Sequence, residues 1–85
     1  NFGNIEIPFT GKRRVSVAHK NVPNMVGQIT SILSQYQLNI ADMVNRSRGD
    51  YAYTIIDIDN QFNGDLPILE GKIKEIPSIV TVRLL

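Results

Sequence analysis

Two amphipathic stretches, Met25 to Tyr36 and Leu66 to Ile76, each opened by a proline (Pro23, Pro67) and each set between β-rich runs, leave this chain few ways to fold. In the first, Met25, Val26, Ile29, Ile32, Leu33 and Tyr36 recur at helical spacing while Gln28, Ser31, Ser34 and Gln35 take the other face. That spacing predicts a helix of about three turns. Pro23 suits a first helical turn, with Asn21 or Asn24 available as its N-cap. Gly27 weakens helix propensity by roughly 1 kcal/mol against Ala, and offers close approach to another backbone or helix. In the second stretch Asp65 is a plausible cap, Leu66, Leu69, Ile73 and Ile76 share a face, and Pro77 ends the helix.

The flanking runs read as strands. Arg13, Val15, Val17 and His19 alternate with Arg14, Ser16 and Ala18, which predicts a first strand over 12–19. Leu38 to about Asn45 reads as a second strand and Arg46 to Asp50 as a polar hairpin turn. Tyr51 to Asp59 is a third strand, with Ala52, Thr54, Ile56 and Ile58 on one side and Tyr53, Ile55 and Asp57 on the other. Ile79 to Leu85 is the fourth. Asn1 to Gly11, with Gly3, Pro8 and Gly11, reads as a lead-in or linker. The order strand, helix, strand, strand, helix, strand predicts an α+β, ferredoxin-like βαββαβ sandwich. Four antiparallel strands in the order 4-1-3-2 would carry both helices on one face.

At 85 residues the chain holds one core and one domain, too little for most complete metabolic enzymes. A formal net charge of +1 gives no electrostatic reason to expect nucleic acid or an anionic membrane as partner. With no cysteine, disulfides and thiolate metal sites are excluded. No apolar run nears the ~20 residues of a membrane span and no signal-peptide pattern opens the chain, so a soluble, cytoplasmic protein is expected. The first residue is not Met, which points to a fragment or processed chain. His19 with Asp57 and Asp59 forms no recognisable nucleophile, acid–base pair or metal set, so no catalytic residue and no metal ligand is assigned.

The stretch His19-Lys20-Asn21-Val22-Pro23-Asn24-Met25-Val26 is the candidate binding loop. Unpaired N–H groups at a helix start suit a carboxylate, so the backbone of Asn24, Met25 and Val26 could receive a free amino acid. Asparagine carbonyls could accept from its ammonium. With the order 4-1-3-2, the strand that starts near Asn39 is an edge and could join a second sheet.

His19-Lys20-Asn21-Val22-Pro23, Leu38-Asn39-Ile40-Ala41 and Tyr53 through Asp59 together resemble the ACT domain family. Within it they are similar to the C-terminal regulatory domains of D-3-phosphoglycerate dehydrogenases, over the whole chain, with residues 12–85 as the domain proper. The resemblance implies an allosteric domain that binds L-serine or another small amino acid between two side-by-side copies joined through the sheet edge and first helix. His19 and Asn21 would contact the ligand from one copy and Asn39 from the other. NAD would belong to the catalytic part of a parent enzyme, with no cofactor in this fragment. Where the family has Gly after the motif proline, this chain has Asn24. Asparagine tolerates positive φ, so the loop shape is expected to survive, but its side chain takes up ligand space. Two other readings share the topology. One is an RNA-binding module built on Arg48-Gly49-Asp50-Tyr51-Ala52-Tyr53, which lacks an aromatic on the first strand and a basic surface. The other is a dimerisation domain that no longer binds serine.

Overall fold

A computed structural model of the protein describes residues 13–62 and 64–84. The lead-in expected over 1–11 lies outside the described residues, as do Lys12 and Leu85. The elements run β1 (Arg13–Lys20), α1 (Met25–Gln35), β2 (Ile40–Arg48), β3 (Tyr51–Ile58), α2 (Leu66–Lys74) and β4 (Ile79–Leu84). All strand pairs are antiparallel, in the order β2-β3-β1-β4. This is the expected βαββαβ arrangement.

The alternating pattern decides which face is buried. Val15, Val17, Ile56, Ile58 and Val82 meet Ile29 and Leu33 of α1 and Leu69 and Ile73 of α2 in one core. Ile56 and Ile58 are fully buried, so truncating either to Ala is expected to cost about 2–5 kcal/mol. On the other face Arg14 Nε and Nη2 donate to the two carboxylate oxygens of Asp57 at 2.7 and 3.1 Å. The two residues are directly cross-strand. That fork-shaped bond raises the Arg14 pKa above its ordinary value, outweighing the opposing effect of burial.

Helix ends explain the boundaries. Asp65 caps α2 by accepting from Ile68 N–H at 3.2 Å, and Lys72 and Lys74 sit favourably in its last turn. At the end of α1, Leu38 N–H donates to Leu33 O and Gln37 N–H to Ser34 O, with Gln37 left-handed at φ 58. This is a Schellman stop. It turns Leu38 into the core and delays β2 to Ile40, two residues later than its apolar pattern suggests.

The hairpin also differs from expectation. Pairing continues through Arg46↔Tyr53, Ser47↔Ala52 and Arg48↔Tyr51, so the turn is only Gly49-Asp50. Gly49 at φ 63 supplies the positive φ that a two-residue hairpin needs. Arg46 to Arg48 read as loop because they are polar, yet an edge strand without a covering layer needs no apolar face. Among the described residues no helix is long and apolar enough to cross a membrane.

Two substitutions test these helix ends. Gln37→Gly is expected to stabilise the chain by about 1 kcal/mol in denaturant unfolding, by relieving a left-handed non-glycine residue. Asp65→Ala is expected to cost about 1 kcal/mol.

Candidate functional site

The β1–α1 loop is held from three directions. Lys20 N–H donates to Ser78 O at 2.9 Å, at the start of β4. Asn21 N–H donates to Asp50 O at 2.8 Å and Asn21 Nδ2 to Gly49 O at 3.2 Å, tying the loop to the hairpin tip. Val22 N–H folds back onto Lys20 O at 2.9 Å. Asn21 Oδ1 keeps its acceptor capacity, because its amide nitrogen makes the hairpin bond.

Asn24 stands at the N-cap position with φ 66 and ψ 18, and its side chain accepts no helix N–H. The expected capping by Asn21 or Asn24 does not occur. A capping side chain needs an extended N-cap backbone, and Asn24 is left-handed. Its carbonyl instead receives Gln28 N–H and Gln28 Nε2 at 3.3 and 3.0 Å. No acceptor among the described residues takes the N–H groups of Met25, Val26 or Gly27, and no acidic residue lies in the first turn. These are the positive ends of the α1 dipole. The Met25 side chain is buried in the core, so Met25 offers the loop only its backbone.

Gly27 admits a neighbour, as its small size suggests, but the neighbour is local. A Cβ there would lie 2.8 Å from Asn24 Oδ1, so the Asn24 amide occupies the space above the helix start.

His19 is 2% exposed and both its ring nitrogens are used inside the protein. Nδ1 lies 2.8 Å from Lys20 O and Nε2 lies 2.8 Å from Thr54 Oγ1. A carbonyl can only accept, so Nδ1 carries the proton toward Lys20. In the neutral ring Nε2 then accepts from the Thr54 hydroxyl. Thr54 Oγ1 also lies 3.2 Å from Asn45 Oδ1, a second and longer acceptor for the same hydroxyl. The ring therefore presents no unused nitrogen to the loop. It braces the Lys20 carbonyl from beneath.

Asn39 lies at the other end of the sheet. Its Nδ2 donates to Asp59 Oδ1 at 2.8 Å, its N–H to Asn60 Oδ1 at 2.8 Å, and its carbonyl accepts from Asp59 N–H. Asn39 immediately precedes β2 and the β1–α1 loop abuts the hairpin that closes it, so at ~3.3 Å per residue the two are roughly 25–30 Å apart within one chain. The structure thus gathers His19, Asn21, Asn24, Met25 and Val26 and leaves Asn39 apart. Thr54, Asn45 and the Gly49-Asp50 carbonyls belong to the site, although sequence reasoning did not select them. The available signal was Thr54 itself, a polar residue inside the apolar stripe of Ala52, Ile56 and Ile58, which burial obliges to find a partner. A groove of about 410 Å³ between α2 and β4, lined by Leu66, Pro67, Glu70, Val82, Arg83 and Leu84, contains none of the loop residues.

No family model matches the chain. It is 35% identical over 72 residues, 85% of its length, to a Schizosaccharomyces pombe protein provisionally named D-3-phosphoglycerate dehydrogenase. It is 28% identical over all 85 residues to D-3-phosphoglycerate dehydrogenase of Escherichia coli K12. The chain spans only 15% and 20% of those two proteins. Among solved structures, the ACT domain from GTP pyrophosphokinase of Chlorobium tepidum superposes with a TM-score of 0.70 at 20% identity, covering 86% of this chain and 95% of that one. The likeness in structure is to the fold of an ACT domain.

Two measurements check the brace. In 15N–1H correlation spectra neutral His19 is expected to carry its proton on Nδ1; a proton on Nε2 would break the bond to Lys20. Thr54→Val is expected to cost about 1–3 kcal/mol, because it strips a buried ring nitrogen of its donor.

Proposed function

We propose that this chain, which has the ACT fold and resembles the regulatory domain of D-3-phosphoglycerate dehydrogenases, is an allosteric amino-acid-binding domain whose ligand is L-serine. The parent would be a cytoplasmic, NAD-dependent oxidoreductase inhibited by the end product of its pathway. The observation that carries the reading is the α1 start. Three adjacent N–H groups without acceptors among the described residues face a loop rigidly bonded to β4 and the hairpin. A carboxylate fits those donors, and Asn21 Oδ1 is placed to accept from the ammonium.

One chain supplies half of such a site. If two copies lie side by side with their β2 edges antiparallel, the Asn39 end of one strand runs alongside the Arg48-Gly49 end of the other. The second copy's Asn39 then approaches the loop through the Gly49 carbonyl that Asn21 already holds. Asn39 Nδ2 is bonded to Asp59, and its amide oxygen has no donor among the described residues. His19 acts in this reading beneath the loop, fixing Lys20 and through it the aim of Asn21.

A second reading is favoured by the Asn24 amide lying over Gly27, where it crowds the helix start. In that case the domain assembles two copies without taking an amino acid. Calorimetric titration with L-serine separates the two. The binding reading expects heat from the wild-type chain, loss on Asn21→Ala and on Asn39→Ala, and tighter binding for Asn24→Gly, which keeps the left-handed backbone and removes the amide. Absence of serine binding by both the wild type and Asn24→Gly would overturn it.

A further inference from the structure

From the exposed edge of β2 we infer that two copies of this chain pair in one antiparallel register, centred on Val44, with Asp42 and Arg46 selecting it. The inference rests on the side-by-side reading and specifies its contacts.

The ladder fixes which backbone groups the edge offers. Asp59 N–H donates to Asn39 O at 3.0 Å, so alternate residues of β3 from Asp59 backwards turn their polar groups toward β2. In the observed register those residues face Asp42, Val44 and Arg46, which are consequently bonded to β3. Met43, Asn45 and Ser47 therefore direct N–H and C=O outward. An independent contact agrees: Met43 N–H takes the Asp42 carboxylate as acceptor at 2.9 Å. In the single chain, Asp42 covers an edge donor that would otherwise await a strand.

Centring two such edges on Val44 lets Met43 and Asn45 of one copy exchange both backbone bonds with Asn45 and Met43 of the other. Val44 meets Val44. Asp42 meets Arg46 twice, by symmetry, at the non-hydrogen-bonded positions where side chains are closest. Asp42 and Arg46 are exposed and Val44 is half-buried in the chain alone. Arg14 lies near enough to attract Asp42 but spends two nitrogens on Asp57, and Arg46 of the second copy would set a cation directly opposite Asp42. The charge order along the strand, acid toward its start and base toward its end, is complementary to its own reverse.

Neighbouring registers are poorer. Centring on Asn45 still sets Asp42 against Arg48, but it sets Val44 against Arg46 and leaves residues 40 and 41 unpaired, and a further step sets Arg46 against Arg46. The irregularity between Ile40 and Asp42 lies outside the segment from 42 to 46.

The chain contains no cysteine, so single cysteines report the register cleanly. Val44→Cys is expected to oxidise to a covalent dimer, since facing non-hydrogen-bonded residues have Cα atoms about 4.5 Å apart, within disulfide reach. Asn45→Cys is expected to cross-link poorly. In sedimentation equilibrium, Asp42→Arg or Arg46→Asp alone should weaken self-association roughly tenfold by replacing two attractions with two repulsions. The double reversal should restore it. A wild-type chain that stays monomeric overturns both this register and the side-by-side reading. A dimer that cross-links at 45 rather than 44, or whose double reversal fails to rescue, overturns the register and leaves side-by-side pairing standing.

Discussion

The bond from His19 Nδ1–H to the Lys20 carbonyl is the contact on which the loop between β1 and α1 depends. It buries a polar ring between β1 and β3 without leaving a nitrogen unsatisfied, because Thr54 serves the other side. With Lys20 held, Asn21 reaches the hairpin, Val22 closes the turn and the chain enters α1 at a left-handed Asn24. In the proposed reading, a loop organised in this way in advance would lose little conformational entropy on taking a ligand, which is what preorganisation contributes to affinity.

In the proposed reading the same rigidity would make a second copy matter. Loop and Asn39 sit at opposite ends of one sheet, and no side-chain motion closes a gap of roughly 25–30 Å, the span of eight or nine strand residues. A ligand held by both would report the arrangement of two domains. Its influence on an attached enzyme could be no larger than its preference for one arrangement over the other. Regulation then follows from where the half-sites lie, with no need for either domain to change its fold.

Much of the fold was legible in the residues because burial imposes periodicity. Ala52, Thr54, Ile56 and Ile58 announce the helix-facing side of β3, and Asp65 with Pro67 announces the start of α2. The order of strands and helices followed from those patterns. Less was legible where a residue acts against its ordinary preference. Gln37 adopts a left-handed backbone that its type does not betray as glycine would, whereas Asn24 does so as its type allows. Arg46 to Arg48 extend an edge strand whose polarity mimics a loop. At the site, proximity in sequence identified the loop residues. The His19 brace stayed hidden, since it needs a cross-strand neighbour 35 residues away.

Complementation measures directly whether the proposed site is divided between two copies. A chain carrying Asn21→Ala and a chain carrying Asn39→Ala are each prepared, mixed and titrated with L-serine. Mixed pairs contain one junction with both asparagines intact, so binding is expected to reappear in the mixture at about one site per mixed dimer although neither variant binds alone. If the mixture binds no better than its components, the two asparagines do not meet at a shared junction and the divided site is wrong.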